Sequence, residues 1–577
     1  MKNLQKIHGQ RFVWKIKDSD KDAVSSIASN HNVSFPVAQS LYARGLISKE
    51  EVNSFLFVSE DSIGDARLLK DSESAVKRIL QAIEYKEKVL IFGDYDVDGI
   101  TSTSLLLVAL IPLGAKINYY LPNRLKEGYG LSVDAVRKAK DNGYSLIVTV
   151  DNGVTAIEAA KVAKSLGIDL IITDHHRPKE DLPISYALVD PNQSDCKYPN
   201  KDLAGVGVIF KLVTLIYEIK NKKLPDKIYE LLMLGTVADM VPLYKENRFW
   251  VRHGLKSLND RKSFSIKVLE GNVNLKKGAL TSLDIGFMIA PQINALGRLD
   301  DPREAVKFLI SSSVNDVRMI GEKLKMMNEE RKSVERKISD EIETLLLKKI
   351  IDISKENVIM ASNADWPSGV IGLAAGKFSR NYGKPTFLFH EKAKGILAGS
   401  CRSIPEFDIF NALTESKDLL ISFGGHSFAA GLSLKKENVT ELKERLEEKI
   451  RKDLKVDILQ PRLDVDAECQ LSEMTKKLLE DLENLEPFGN SNEQPNFVFK
   501  DLTLLHAPTI LKDKHVKCSV FSHGVIKPVI FFNRPDLIPF FNSISDKPFH
   551  IAGNVMKNEW NDQVRIEIKG LDVAAVE

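Results

Sequence analysis

Between residues 74 and about 220, short apolar runs alternate with longer stretches that have helical character. The apolar runs are rich in β-branched residues and read KVLIF, KINYYL, SLIVTV and DLIITD. The stretches between them are longer, as in GITSTSLLLVALIPLG and TAIEAAKVAKSLG. Strands that alternate with helices form βαβ units, in which helices cover both faces of a parallel sheet. The pattern predicts an α/β fold for this part of the chain.

The segment from 303 to 350 follows the helical period. Charged residues separate its apolar positions, and only Gly321 interrupts the pattern. These apolar positions are Val314, Val317, Ile320, Leu324, Met327, Val334, Ile338, Ile342 and Leu345. Such spacing predicts one long amphipathic helix, or two, between domains.

The last two hundred residues show two further patterns. Strand and helix signals return from 356 to about 455, which predicts a second α/β domain. From about 462 the pattern is all-β, with five strand-like runs that suit a small barrel of OB type. The predicted division is a helical lead-in (1–60), a parallel-sheet domain (61–302), a connecting helix (303–352), the second α/β domain (353–457) and the barrel (458–577).

Composition narrows the class of protein only slightly. The net charge is +2, so local charge has to indicate any nucleic-acid partner. Four cysteines lie scattered without metal-ligand spacing, which favours a reducing compartment. The sequence MKNLQKIHGQRFVW has no signal-peptide apolar core, and the apolar stretch from 105 to 113 is too short to span a bilayer. We therefore expect a cytoplasmic protein without a membrane segment.

Acidic residues follow three of the predicted strands. The first strand ends in Asp94, Asp96 and Asp98, and the second ends at Asp151. The third is followed by Asp174 and the histidine pair 175–176. In an open parallel sheet, ligands bind beyond the carboxyl ends of the strands, so all three groups should meet at one crevice. Since like charges repel at this spacing, something must hold them together.

A fourth carboxylate, Asp239, lies in the otherwise apolar stretch LLMLGTVADMVPLY. A charge there needs a partner. Carboxylates mixed with imidazoles suit Mn²⁺ or Mg²⁺, and two such cations can share one bridging carboxylate. A single Asp after a strand is more often a turn or helix cap, but three strand ends in succession favour a metal centre.

Four motifs carry a family resemblance: GDYDVDG, VDNG, TDHH and GTVADMVPL. They resemble the motifs of the DHH phosphoesterase family, and most of all its bacterial RecJ branch, the single-strand-specific 5′→3′ DNA exonucleases. The resemblance runs from about residue 35 to the C-terminus. It implies that 61–302 is the DHH phosphoesterase domain, 353–457 the DHH-associated domain and 458–577 a nucleic-acid-binding OB fold.

The resemblance also implies ligands for two ions of Mn²⁺ or Mg²⁺. Asp96 and Asp151 would hold one metal. Asp98, Asp151, His175 and Asp239 would hold the other, with Asp151 bridging. His176 would contact the scissile phosphate. The pyrophosphatase branch has a histidine where this chain has Phe92, which leaves open whether Asp94 or water completes the first site.

Three further segments resemble RecJ sequences around the 5′ end of the strand: LPNRLKEGYGL, PQINALGRLDDP and LAGSCRSIPEFD. A fourth, FGGHSFAAG, resembles the glycine-histidine motif of the DHH-associated domain, whose glycines would let the backbone approach a strand of nucleic acid. Their candidate substrate contacts are Arg124, Arg298, Ser400, Arg402, Ser403, Gly424, Gly425 and His426. Arginine matches phosphate oxygens with its fork of donors, and serine hydroxyls add more. The alternatives are surface salt bridges for the arginines and a plain helix start for FGGHSFAAG. Ser400 and Arg402 should share one side of an extended segment. We expect a pocket for the terminal 5′ phosphate from these two residues and Arg298.

The second domain departs from the family pattern at one position, whereas the barrel agrees with it. RecJ proteins usually read Trp-His-x-Gly in the second domain, whereas this chain reads WPSG, with Pro367 in place of the histidine. The barrel carries a basic, aromatic stretch between 511 and 534 that suits binding of single strands. Its residues are Lys512, Lys514, Lys517, Lys527, Arg534, Phe521, Phe531 and Phe532. Some of the aromatic residues could instead fill the core.

The sequence therefore predicts a metal-dependent exonuclease that degrades single-stranded DNA from the 5′ end to mononucleotides in DNA repair and recombination. One alternative is a DHH phosphodiesterase for short oligonucleotides or cyclic dinucleotides. Another is a non-catalytic single-strand-binding protein, although such relatives have eroded acidic motifs. The resemblance further suggests a monomer that works with a helicase and a single-stranded-DNA-binding protein.

Overall fold

The computed structural model describes residues 5–123, 127–275, 278–544, 547–560 and 563–576. The chain divides into two compact units. The central unit comprises Ser54–Arg331 and Glu486–Glu493. The flanking unit comprises Met1–Asn53, Lys332–Leu485 and Gln494–Glu577.

The strands are numbered along the chain. They are β1 Gln5–His8, β2 Val13–Ile16, β3 Lys88–Phe92, β4 Lys116–Tyr120, β5 Leu146–Val150, β6 Asp169–Thr173, β7 Ala187–Val189, β8 Ile359–Ser362, β9 Thr386–Ala393, β10 Ile396–Arg402, β11 Leu420–His426, β12 Ala429–Lys435, β13 Arg462–Val465, β14 Ala467–Glu468, β15 Phe497–Leu504, β16 Thr509–Leu511, β17 His515–Ser522, β18 Val525–Phe531, β19 Phe549–Trp560 and β20 Gln563–Ala575.

The α-helices are numbered in the same way. They are α1 Lys21–His31, α2 Phe35–Ala43, α3 Lys49–Leu56, α4 Ser72–Glu84, α5 Val97–Leu110, α6 Val133–Asp141, α7 Ile157–Ser165, α8 Gly205–Ile219, α9 Lys227–Ala238, α10 Lys245–Asp260, α11 Phe264–Asn272, α12 Ser282–Asp284, α13 Ala290–Leu299, α14 Arg303–Ile310, α15 Val314–Leu347, α16 Ser368–Tyr382, α17 Ile409–Glu415, α18 Val439–Leu454, α19 Lys476–Asn484 and α20 Ile538–Ile544.

The central unit is built on a parallel sheet of order β4-β3-β5-β6-β7. Alternate residues of its strands enter two different cores. Val89 and Ile91 pack with α4, α5 and α8 on one face, whereas Leu90 and Phe92 pack with α6 and α7 on the other. The predicted α/β fold, with helices on both faces of a parallel sheet, is confirmed.

The predicted connecting helix is continuous. Helix α15 runs over 34 residues, Val314–Leu347, through Gly321. Glycine in a helix interior costs about 1 kcal/mol relative to alanine, which the other apolar positions of a long helix can offset. A separate helix, α14, occupies the start of the predicted connecting segment.

The prediction of a wholly helical lead-in is wrong for the first residues. Strands β1 and β2 form a hairpin, and β13 adds to it in parallel. The side chain of Asp572 fastens the hairpin turn, because it accepts hydrogen bonds from Arg11 N, Phe12 N and Trp14 Nε1. These partners lie more than 500 residues away in sequence, so local patterning could not reveal them.

The flanking unit contains two further sheets. One has the order β11-β12-β10-β9-β8, with β8 and β9 parallel and the other pairs antiparallel. In the other, β15, β19, β20, β18 and β17 pair in turn, and an additional β15–β17 pairing closes the ring. These are the five strands that the sequence predicted for the OB region. In the described residues, no helix is long and apolar enough to cross a bilayer.

Candidate active site

The three strand ends meet at one edge of the parallel sheet, as the sequence predicted. Strands β3, β5 and β6 are neighbours, so the residues that follow them converge. The shared point is His175 Nε2, which lies 3.1 Å from Asp151 Oδ1 and 3.8 Å from Asp98 Oδ2. Asp239, at the end of α9, joins them with Oδ2 at 3.7 Å from the same nitrogen. Three carboxylates from three chain segments thus lie around the imidazole of His175, which comes from a fourth segment.

Three groups of side chains in the described residues have the arrangement that a metal ion needs. They are Asp98 with His175 and Asp239, Asp94 with Asp96 and Asp151, and Asp151 with His175 and His176. Within each group the ligand atoms lie within 4.8 Å of one another. Asp151 belongs to two groups, which suits a bridging carboxylate. Asp94 lies with Asp96 and Asp151, in the predicted first metal site, where Phe92 replaces a histidine ligand of the pyrophosphatase branch.

Asp98 is held in place by the start of helix α8. Its two carboxylate oxygens accept hydrogen bonds from Gly205 N at 2.6 Å and Val206 N at 2.8 Å. A helix N-terminus carries partial positive charge and suits an anion. Two glycines from different helices leave room for these carboxylates, because a larger residue at either position would press on them. A Cβ on Gly205 would lie 2.7 Å from the Cβ of Asp151, and one on Gly235 would lie 3.0 Å from Asp98 Oδ1.

Burial makes these carboxylates poor anions without a cation. It raises the pKa of Asp98 and that of Asp151, and the negative charge of Asp96 adds to both effects. Burial also raises the pKa of Asp239 to about 7. The buried Oδ1 of Asp151 lies 3.1 Å from His175 Nε2 but accepts no hydrogen bond of good geometry from the described residues. A divalent cation would relieve the repulsion and occupy these oxygens, so the donor set fits a hard ion such as Mn²⁺ or Mg²⁺.

The two histidines differ in their surroundings. Burial alone would lower the pKa of His175, but the carboxylates of Asp239 and Asp98 outweigh it. His176 Nδ1 lies 2.7 Å from Asp174 Oδ1. Burial opposes charge on His176 as well, yet the bond to Asp174 raises its pKa to about 9. In the metal-free protein this pKa favours the protonated form of the partly exposed His176 at neutral pH, and a cation there suits contact with a phosphate group.

Asp174 itself organises the turn. Its Oδ1 accepts hydrogen bonds from His175 N and His176 N, and its Oδ2 accepts one from Val154 N. Burial opposes ionisation of Asp174, but the bond to His176, the charge of His176 and the backbone bond from Val154 N hold its pKa below the usual value. The carboxylate thus acts on the backbone that carries the histidine pair.

Sequence analysis missed a fourth strand end at the same edge. Asp190 follows β7 and is fully buried, and burial raises its pKa to about 7. Its Oδ1 accepts a hydrogen bond from Asn192 N, and Asn192 Nδ2 donates to His175 O at 2.6 Å. The signal was present as ALVDPN, a short apolar run followed by Asp, which repeats the pattern of the three other strand ends.

Tyr129 was also missed. It belongs to the segment that supplied Arg124, which lies outside the described residues. The hydroxyl of Tyr129 donates to Asp151 O at 3.3 Å, and its ring meets that of His176 edge-on at 5.9 Å. An aromatic ring therefore borders the histidine that we expect to contact phosphate.

Arg298 lies in the last turn of α13, in the same unit as the carboxylates. This helix packs on the loop between Asp94 and Asp98. Asn294 Oδ1 accepts a hydrogen bond from Val97 N, and a Cβ on Gly297 would lie 2.2 Å from Tyr95 O. The structure thus places Arg298 on an element that supports the acidic loop.

Three predicted contacts of the flanking unit lie at the end of β10. Arg402 Nη1 donates to Ser400 Oγ at 3.1 Å and to Cys401 O at 2.8 Å, so the two predicted side chains lie together. Ser403 is different: its hydroxyl donates to Phe407 O at 2.6 Å. Its Oγ is therefore engaged inside the unit rather than directed to the Ser400–Arg402 pair.

FGGHSFAAG forms a β-hairpin of β11 and β12, so the helix start considered for it is wrong. The registers align Gly424 with Gly431 and Ser400, and His426 with Ala429 and Arg402. Residues directly opposite on antiparallel strands share a face. Ser400, Arg402 and His426 therefore lie on one face, with only small residues between them.

The predicted basic, aromatic face of the OB region is smaller than expected. Phe531 is fully buried, and Arg534 bonds to Asp536 and Leu571 O. The ammonium of Lys527 is bound by Met474 O. The residues that remain exposed are Lys512, Lys514, Lys517, Phe521 and Phe532. The core alternative thus holds for Phe531.

Comparisons with known proteins identify the domains and the family of this chain. Family models match residues 88–236 (DHH family, N-terminal domain), 355–452 (DHHA1 domain) and 465–572 (RecJ OB domain). The chain is 35% identical over 566 residues to the single-stranded-DNA-specific exonuclease RecJ of Bacillus subtilis, covering 98% of this chain and 71% of that protein. It is 33% identical over 506 residues to the protein of the same name in Escherichia coli, and this match covers 84% of this chain and 86% of that protein.

The fold has a solved counterpart as well. The crystal structure of RecJ in complex with Mn²⁺ from Thermus thermophilus superposes with a TM-score of 0.82. It is 23% identical, and the match covers 98% of this chain and 80% of that one. Given this fold, together with more than 30% identity over most of the length of two relatives, the chain belongs to the RecJ family of single-stranded-DNA-specific exonucleases.

Proposed function

We propose that this protein hydrolyses single-stranded DNA from the 5′ end and releases mononucleotides, with two divalent cations. One observation carries the proposal: a complete set of carboxylates and an imidazole surrounds one point at the carboxyl edge of the parallel sheet. Relatives that are named single-stranded-DNA-specific exonucleases support the choice of substrate.

The proposed ligands fall into two sets that share Asp151. Asp94, Asp96 and Asp151 form one, and Asp98, Asp151, His175 and Asp239 form the other. Mn²⁺ or Mg²⁺ held there would supply positive charge to the phosphoryl oxygens and activate a water for in-line attack. The solved structures of RecJ with Mn²⁺ and with Mg²⁺ support these two ions.

The remaining side chains orient the strand. His176, held as a cation by Asp174, would contact a non-bridging oxygen of the scissile phosphate. Tyr129, beside it, would exclude water from one side of that phosphate. Arg402 and Ser400 would hold the terminal 5′ phosphate, because a terminal phosphate carries more charge than a diester and binds an arginine fork more strongly. Arg298 and Arg124 stay predictions for the same role.

The hairpin face and the OB region would contact the rest of the strand. Gly424 has open space around its Cβ position and is not in the left-handed region, so neither packing nor backbone strain requires glycine there. Its absent side chain would let a strand approach the backbone closely, with His426 alongside. The exposed lysines of the OB region would then bind phosphates, and Phe521 and Phe532 would stack on bases.

The biological setting is proposed from the sequence and from the family resemblance. The protein would act in the cytoplasm, as a monomer, in repair and recombination. A helicase would supply single strands to it, and a single-stranded-DNA-binding protein would be a second partner.

The decisive experiment uses one single strand labelled at the 5′ end in one reaction and at the 3′ end in another. With Mn²⁺, the 5′ label should appear at once as a mononucleotide, while the 3′ label should pass through a ladder of shortening strands. Chelation of the metal, or the change Asp151→Ala, should stop both. Release of the 3′ label first would contradict the direction. Cleavage of cyclic dinucleotides alone would favour the phosphodiesterase alternative, and binding without cleavage would favour the non-catalytic one.

A further inference from the structure

The face of β10 that carries Ser400 and Arg402 packs against helix α16. Ser400, Arg402 and the facing residues of the helix are all partly exposed, so a ligand can reach them. The two side chains already touch through the bond from Arg402 Nη1 to Ser400 Oγ. The positions of these two side chains therefore depend on the size of the α16 residues that face them.

Opposite the pair, α16 has a glycine that its backbone does not need. Gly372 lies inside the helix and outside the left-handed region, where alanine would be more stable by about 1 kcal/mol. A Cβ at Gly372 would lie 2.8 Å from Ser400 Oγ and 3.1 Å from Arg402 Nη2. Space for these two side chains is thus the physical reason for glycine at this position.

The helix cannot easily move away to admit a methyl group. Its inner side is buried through Val370, Ile371, Ala374 and Phe378. The residues just before it are tethered to α15, because Glu341 Oε2 accepts hydrogen bonds from Trp366 Nε1 and Asn363 Nδ2, both at 2.8 Å. The atoms that yield most easily are the ends of the Arg402 and Ser400 side chains.

We propose that Gly372 is a specificity-determining position: it seats Arg402 and Ser400 in the arrangement that recognises a terminal 5′ phosphate. This inference rests on the proposed function of those two residues and extends it to a residue that would touch no substrate. Gly372 acts through them and is a positioning residue.

The same helix offers a matched control. Gly376 lies one turn further on, and a Cβ there would be 3.4 Å from Arg380 Nη1 and 3.7 Å from Arg402 Cγ. These are ordinary contact distances. Gly376→Ala and Gly372→Ala therefore make the same chemical change in the same helix, and only the second displaces the Ser400–Arg402 pair.

The test compares the full-length wild type, Gly372→Ala, Gly376→Ala and Arg402→Ala, with Mn²⁺, on one strand that carries either a 5′ phosphate or a 5′ hydroxyl. Gly376→Ala should keep the wild-type ratio of the two rates. Gly372→Ala should reduce that ratio about tenfold or more, the effect of losing a hydrogen bond to a charged group, and approach Arg402→Ala. In the Arg402→Ala background, Gly372→Ala should change the ratio no further.

Gly372→Ala with the wild-type ratio overturns the inference while leaving the proposed function intact. A wild type that does not distinguish the two ends overturns both the inference and the assignment of Ser400 and Arg402 to the terminal phosphate, whereas the 5′→3′ direction is judged separately by the end-label experiment. Melting temperature separates a repositioned pair from a damaged fold. If Gly372→Ala melts lower, the double change Gly372→Ala with Ser400→Ala removes the 2.8 Å contact and is compared with Ser400→Ala alone. A reduced ratio in the double variant supports the inference, and an unchanged one refutes it.

Discussion

The acidic centre should destabilise the metal-free protein. The change Asp239→Asn tests this, because it removes one of the buried charges and its effect can be read from the free energy of unfolding. Burial raises the pKa of Asp239 to about 7, and the negative charges of Asp98 and Asp96 contribute, while His175 opposes them. Its ordinary value is 3.8. A raised carboxyl pKa means that the folded protein holds the proton more tightly than the unfolded chain. The metal-free fold should therefore lose stability as pH rises from about 4 through about 7.

The difference between the two pKa values sets the upper limit of the effect. At about 1.4 kcal/mol for each tenfold change in proton affinity, it corresponds to roughly 4 kcal/mol at pH 8. Asparagine keeps the shape of the side chain but removes its charge, and it also removes the attraction to His175. We therefore expect Asp239→Asn to stabilise the metal-free protein by about 2 kcal/mol at pH 8 and by almost nothing at pH 4.

The assay is denaturant unfolding with chelator at several pH values, repeated with Mn²⁺. The same exchange at Asp181, an exposed carboxylate outside the centre, is the control. Mn²⁺ should raise the unfolding midpoint of the wild type and of Asp181→Asn, because it binds the folded state, but should raise that of Asp239→Asn much less. Lower metal-free stability of Asp239→Asn at pH 8, or a pH dependence equal to the wild type's, would refute the reasoning.

Three further predictions concern other parts of the site. Gly424→Ala should fold normally and bind single strands more weakly, whereas Gly425→Ala should lower the melting temperature, because a Cβ there would lie 2.4 Å from Ala429 O at a φ of 144°; equal melting temperatures would contradict this. Asn192→Ala should weaken Mn²⁺ binding about tenfold by freeing His175 O, as measured by titration calorimetry, and unchanged affinity would assign Asn192 a purely local role. Replacing the exposed OB lysines by serine should reduce the slope of log affinity against log salt by up to about 2, and an unchanged slope would exclude phosphate contact by Lys512, Lys514 and Lys517.

Much of the central unit followed from the sequence because its determinants are local. Period-two and period-3.6 patterns distinguish strands from helices within a few residues, and alternation of the two implies a parallel sheet. Once the sheet is parallel, every acid after a strand must lie at the same edge. From the sequence alone, that geometric rule predicts that Asp98, Asp151 and His175 lie close together. Asp190 obeys the same rule and could have been predicted with them.

The tertiary structure alone decided the features that depend on residues far apart in sequence. The turn of the β1–β2 hairpin is fastened by Asp572, the carboxylate of Asp98 is held by backbone N–H groups of Gly205 and Val206, and Gly372 meets Ser400 and Arg402 from another element. None of these contacts leaves a period or a motif in the sequence. A hydrogen bond or a van der Waals contact depends on positions to within a fraction of an ångström, and only packing of the whole chain sets such distances.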